Sequence, residues 1–281
     1  MRKLLSAGFG RLWRNKFFYL AIVGIFLLAV VTVLNGCRQA INDTSGYIRN
    51  LEWYYFDTAV YSGIFLSAFI ALFIGAEHSD RTLHNKLIVG HSRTEVYLAN
   101  LTICSTVTVF LVAAWMLGGM VGIPVLGFWI IGVRGMLLAT LVSVLVMVSL
   151  SSIFLMVSML SSSKAVTAVT CILLSLLLIV CATTPYNALC QPEMSSGVMI
   201  TVEGGLQFMD PTPNPGYVGE PLRSVYTVIV NMLPTGQQIL LANIISDEGF
   251  ANYLLQIIGS VLITAFTTGV GISLFRRKDL K

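Results

Sequence analysis

Apolar residues run unbroken through much of this chain. Six stretches, 17–34, 59–76, 97–123, 136–160, 165–183 and 253–275, hold 18 or more residues each, and none contains Lys, Arg or Asp. At about 1.5 Å of rise per residue and a hydrocarbon core about 30 Å thick, each can cross a bilayer as a helix. In lipid, every backbone N–H and C=O must be satisfied within its own segment, which makes these runs helices. The expected fold class is all-α: one polytopic membrane domain, residues 1–281, with six transmembrane helices.

The polar intervals predict three smaller elements. Ahead of the first run, Leu5, Phe9, Leu12 and Trp13 share a helical face with bases interleaved, the pattern of a helix lying in the membrane interface. The same pattern fits a basic tail that only sets topology. The interval 77–95 holds a second short helix, 80–89. Glu77 closes the run before it, Ser79 is placed to cap it, and Asp80 falls in its first turn, where the helix dipole favours an anion. Leu83 and Leu87 recur at i, i+4 with Arg81, His84, Asn85 and Lys86 on the other faces, and Gly90 supplies the stop. Ser92 and Glu95 form a capping box that starts the third span. So organised an element suits docking to a partner or transmitting force; a helix merely resting on the membrane is the alternative.

The third interval, 184–252, begins irregular and rich in Pro and Gly. An apolar stretch, 225–233, follows and breaks at Pro234, and Thr235 and Gln238 mark a second capping box that opens a helix through 245. Neither piece is long enough to span. Two short helices dipping into or lying on the outer leaflet are expected, with Pro234 and Gly236 setting the break between them.

Charge orients the picture. Of 17 basic residues, thirteen lie on one side: Arg2, Lys3, Arg11, Arg14 and Lys16 in the N-terminal tail, Arg81, Lys86 and Arg93, then Lys164, then Arg276, Arg277, Lys278 and Lys281. Only Arg38, Arg49, Arg134 and Arg223 fall on the other. The positive-inside rule puts both termini in the cytoplasm and the long fifth–sixth interval outside. A net charge of +4 therefore reflects topology rather than nucleic-acid binding. The first run exceeds the 7–15 residues of a signal h-region, so it is expected to remain as a span despite the Cys37 that follows it.

Candidate chemistry is sparse. Five cysteines are too scattered for a disulfide framework or a metal cluster, and pairing of Cys37 with Cys190, both near the outer surface, is left open by the sequence. His78, His84 and His91 lack the spacing of a helical zinc site and read as solvated polar residues. No Lys is followed by Ser or Thr, so the chain has no P-loop, and no catalytic serine, zinc or paired-acid arrangement lies within a span. The chain is thus expected to be no enzyme itself and to need no cofactor or metal.

The stretch from Gly75 through Glu77, Ser79, Thr82, Asn85, Lys86, Leu87, Gly90, Ser92 and Arg93 to Tyr97 resembles the Gly-x-Glu-(Tyr/His)-Ser-x-x-Thr-x-x-Asn-Lys-Leu-x-x-Gly-x-Ser-Arg-x-x-x-Tyr segment of type-2 (ABC-2) ABC transporter permeases of Gram-positive bacteria. The resemblance extends to the basic N-terminal helix, six spans, the large fifth–sixth outer region and the basic C-terminal tail. Arg81 departs from it, standing where the family often has Gly. It implies a plasma-membrane permease subunit, paired with a second permease and with separate ATPase subunits, that exports a hydrophobic or amphipathic cargo. The 77–95 element would then be the coupling helix. Asp80, Arg81, Leu83, His84, Asn85, Lys86 and Leu87 would meet the ATPase, while Glu77, Gly90, Ser92 and Arg93 hold the geometry, Glu77 by pairing with a base such as Arg93. A membrane immunity or regulatory protein without a conduit, and an ion-coupled carrier, are the alternatives.

Overall fold

The computed structural model describes residues 1–43, 50–80, 82–161, 163–195, 198–200, 206–208, 210–244 and 251–278. Its elements run α1 (Arg2–Trp13), α2 (Lys16–Asn42), α3 (Leu51–Ser79), α4 (Thr82–Ile88), α5 (Arg93–Gly119), a 3-10 turn (Met120–Gly122), α6 (Ile123–Leu126), α7 (Gly132–Leu160) and α8 (Lys164–Leu189). Four short strands follow, β1 (Met194–Ser195), β2 (Val198–Ile200), β3 (Leu206–Phe208) and β4 (Thr212–Pro213), and then α9 (Leu222–Met232), α10 (Pro234–Ala242) and α11 (Tyr253–Arg277). Six of these, α2, α3, α5 continued through α6, α7, α8 and α11, are long and apolar enough to cross a membrane. The protein is an all-α, multi-pass membrane protein.

The six helices outrun the apolar windows that predict them. With 29 residues, α3 and α7 each extend about 43 Å, beyond a hydrocarbon core of about 30 Å, so their ends reach the polar zone. These two are also the most enclosed spans. α3 packs against α2, α5, α7, α8 and α10, and α7 against α3, α5, α10 and α11. Phe56, Leu66, Phe69, Ile70, Phe73 and Ile74 of α3 are buried, whereas α2 and α8 turn Leu20, Leu27 and Val31, and Val169, Leu173 and Leu177, outward. That is the distribution a bilayer permits, because lipid tails are as apolar as leucine and contact selects by shape. At the α2–α5 crossing a Cβ on Gly118 would stand 2.7 Å from the Phe26 carbonyl oxygen, so only Gly admits the approach. Many hydroxyls inside the bundle fold back onto their own helices, as Ser143 does to the Ala139 carbonyl at 2.7 Å, which satisfies the donor without a partner helix.

Several expectations are revised. α1 buries Leu4, Gly8 and Leu12 against α5, while Trp13 lies exposed. Ser79 does not cap the next helix: α3 continues through it, its hydroxyl bonds the Gly75 carbonyl at 3.1 Å, and α4 has seven residues rather than ten. Arg81 lies outside the described residues. In the interval 184–252 α8 runs on to Leu189, and the irregular stretch contains two antiparallel ladders, β1 with β4 and β2 with β3. Cys37 and Cys190 are both free thiols. His78 is not a solvated loop residue; it is half-buried in the last turn of α3, with Nε2 3.1 Å from the Ser158 carbonyl.

The helix after Pro234 departs furthest from expectation. Every residue of α10 is buried, and it packs on α3, α7, α8, α9 and α11 rather than on the outer leaflet. Its polar residues are consumed within the fold. Thr235 Oγ1 donates to the Leu178 carbonyl at 2.6 Å, so no capping box forms. Gln237 accepts from Ser260 Oγ at 2.8 Å, and Gln238 Nε2 donates to Ser62 Oγ at 3.0 Å. The break itself falls at Leu233, with Pro234 at the first helical position, where its missing N–H costs nothing. A Cβ on Gly236 would penetrate the Val230 carbonyl, so glycine lets α9 fold back against α10.

Candidate partner-docking site

Four elements meet on one carboxylate. Glu77, in the last turn of α3, is fully buried. Its Oε1 takes Arg11 Nη1 of α1 at 2.7 Å and Lys86 Nζ of α4, and its Oε2 takes Asn100 Nδ2 of α5 at 2.8 Å. A buried charge is tolerable only when paired and hydrogen-bonded, and here both oxygens are engaged. The Arg11 guanidinium carbon also lies 3.9 Å from the Phe73 ring centroid, an orientation that favours the cation over the ring face. The base expected to pair with Glu77, Arg93, does something else. Its Nη1 donates to the carbonyls of Phe275, at 2.8 Å, and Arg276, at 3.2 Å, and to that of Lys278, closing the C-terminus of α11. Lys278 in turn donates to the carbonyls of Met159 and Ser161 at the end of α7, and burial there holds its ammonium below the usual lysine range. Cations at helix C-termini complement the exposed carbonyl dipoles.

α4 is seated by this cluster and stopped sharply. Leu83 is 2% exposed and packs into the core, with Leu87 half-buried beside it. The apolar stripe predicted as a contact face therefore faces the protein, and Lys86 is drawn to Glu77. At the far end Gly90 has φ +97°, a conformation glycine adopts freely, and the His91 N–H reaches the Lys86 carbonyl at 3.3 Å while that of Gly90 reaches Leu87 at 3.0 Å. That is the Schellman arrangement. Ser92 then accepts from the Glu95 N–H at 3.2 Å and its own N–H reaches Glu95 Oε2 at 3.1 Å, completing the capping box read from the sequence.

What remains outward is a compact face: His84 and Asn85 are exposed, and Ile88 and Val89 are 71% and 78% exposed. Asp80 is exposed at the C-cap of α3. The sequence pattern does not single out Ile88 and Val89. A mid-helix leucine stripe is the stronger signal for a contact face, and the signal that could have found the other pair is two apolar residues directly before a glycine stop. In the sequence Arg11 reads only as one of the bases interleaved on the N-terminal helix and counted for topology. The requirement that the Glu77 carboxylate find a cation was the clue, but any of several bases met it.

At the opposite end a second buried carboxylate, Glu52, takes the N–H groups of Ile130 and Ile131 just ahead of α7. It is an anion at a helix N-terminus and holds the short connection between α6 and α7. Among the described residues no group of His, Cys, Asp and Glu is arranged to hold a metal. Compared with models of known protein families and with curated protein sequences, the chain matches none.

Proposed function

We propose that this chain is the transmembrane permease subunit of an ATP-driven exporter, docking a separate ATPase through α4 and moving an amphipathic or hydrophobic cargo across the plasma membrane. The observation that carries the reading is the combination at α4. A seven-residue helix is locked to α1, α3 and α5 through Glu77, yet it presents Ile88, with Val89 just past its end, to solvent with His84 and Asn85 beside them. A helix resting on lipid needs no such anchoring. A helix that transmits movement does, because force passes through an element only if it cannot turn independently of the spans. The sequence resemblance of 75–97 to ABC-2 permeases supports the same assignment, as does the concentration of bases beside both termini, which would place this end in the cytoplasm.

In this reading ATP-driven closure of the ATPase pushes on α4, and the Glu77 cluster carries the displacement into α3 and α5. A second permease subunit and lipid would share the apolar outer faces of α2 and α8. α10, buried among α3, α7, α8 and α11, would close the outer end of the pathway, and Pro234 and Gly236 would set where it bends.

The test separates α4's two faces. The full-length chain is purified from its native membrane and the preparation probed by mass spectrometry for a P-loop ATPase. Ile88→Asp with Val89→Asp should leave yield and helicity unchanged and abolish ATPase recovery and ATP-driven flux. Absence of an ATPase from the wild-type preparation, or its undiminished recovery with the double variant, would overturn the proposal.

A further inference from the structure

The face where α11 meets α5 and α7 carries an open groove of about 550 Å³, lined by Leu101 of α5, Leu145 and Val148 of α7, and Val261, Ala265 and Gly269 of α11. A second hollow of about 450 Å³ shares Gly269 and Ile272 with it and continues past Ser273 to Arg276 and Arg277. The two make one slot, apolar along its length and cationic at its mouth. Ser260 and Ile272 both line the apolar part. At about 1.5 Å per residue along α11 they are about 18 Å apart, somewhat more than half of a hydrocarbon core about 30 Å thick. With 25 residues, α11 is about 37 Å long, which carries Arg276 and Arg277 in its last turn to the level of the headgroups.

Two observations mark the slot as space for a ligand rather than a packing fault. A Cβ on Gly269 would meet nothing within 4 Å, so the glycine leaves the floor open without any neighbour requiring it. Arg276 and Arg277 are exposed and, among the described residues, neither side chain makes an ion pair or hydrogen bond, whereas nearby Arg93 is engaged with the backbone of the α11 terminus.

We infer that this slot binds an anionic phospholipid, with one acyl chain along α11 between α5 and α7, the phosphate at Arg276 and Arg277, and Ser273 at the depth of the glycerol. Arginine matches phosphate geometry with paired N–H donors, and basic pockets between spanning helices are a recurrent headgroup site. An apolar partner helix would fill the slot but bring no anion to the two guanidinium groups. A zwitterionic lipid brings its own ammonium to the phosphate and gains less from two arginines. An anionic lipid satisfies both ends, and it does so whether or not the chain is a permease.

The test is native mass spectrometry of the full-length protein released from detergent micelles holding equal phosphatidylglycerol and phosphatidylcholine. Wild type should retain phosphatidylglycerol preferentially. At the usual strength of one basic residue near an anionic membrane surface, Arg276→Gln or Arg277→Gln should weaken that retention about fivefold and the pair about thirtyfold. Gly269→Leu, whose Cβ would meet nothing within 4 Å and whose side chain would occupy the slot, should reduce retention of both lipids. Circular dichroism of each variant confirms an intact fold. An undiminished phosphatidylglycerol preference in the double Gln variant overturns the site. So does displacement of the lipid by millimolar inorganic phosphate alone, which would assign the arginines to a soluble anion. A Gly269→Leu variant that loses a dimer mass while keeping its lipid would give the groove to a second copy of the chain and equally overturn it.

Discussion

Glu77→Gln removes the single carboxylate among Arg11, Lys86 and Asn100 while preserving its shape. Glu77 is fully buried, and the side chains of Arg11 and Lys86 are only 30% and 21% exposed. Breaking a buried ion pair from one side costs about 3–5 kcal/mol, because the remaining charge has neither water nor partner. Both cations here keep some solvent, and Arg11 keeps the Phe73 ring, so the expected loss is near the lower bound, about 3 kcal/mol. The loss should be concentrated where the cluster joins elements, at α1 and α4, since α3 and α5 are also held by extensive apolar packing. A double-mutant cycle of Glu77→Gln and Arg11→Met, read by unfolding free energy in a fixed detergent, isolates the link between α1 and the bundle. A coupling of about 1–3 kcal/mol is expected for two contacting charged groups. A value below about 0.3 kcal/mol would show that α1 is held by Leu4, Gly8 and Leu12 alone and would refute the cluster as its anchor.

Leu83→Asp should destabilise the fold by several kcal/mol, as an unpaired charge forced into the core, whereas Ile88→Asp should change the melting temperature little; equal effects would contradict the two-faced reading of α4. Gln237→Met should cost about 1–3 kcal/mol, since it removes the acceptor of buried Ser260 Oγ and a donor to the Asn231 carbonyl, while Gln238→Met should cost less than about 1 kcal/mol because its Oε1 has no partner among the described residues. Thermal melts of the two variants side by side decide it. Gly236→Ala should cost about 1–3 kcal/mol by forcing α9 away from α10, with a fall in any transport activity measured in vesicles. In a background lacking the five native cysteines, impermeant thiol reagent added outside cells should label Gly219→Cys and miss Asn85→Cys; the reverse would invert the topology.

Backbone satisfaction in lipid is a local demand, so the six spans were legible from runs of apolar residues alone, without reference to any other part of the chain. The Gly90 stop and the Ser92–Glu95 box were legible for the same reason, since each closes within a few residues. The short helix of the candidate site was legible in place, but not which of its faces is buried. On a seven-residue helix, an i, i+4 leucine stripe marks a buried face without saying what buries it, and the bundle itself takes Leu83. Pairing of charge is a long-range choice among similar groups. Arg93 lies nearer Glu77 in sequence than Arg11 does, yet the fold commits Arg93 to the end of α11 and brings α1 across to the carboxylate. The polar run Thr235–Gln238 reads as surface because its partners, Leu178, Ser62 and Ser260, are distant in sequence. Only packing places those partners within hydrogen-bond reach, and that is what draws α10 into the bundle interior.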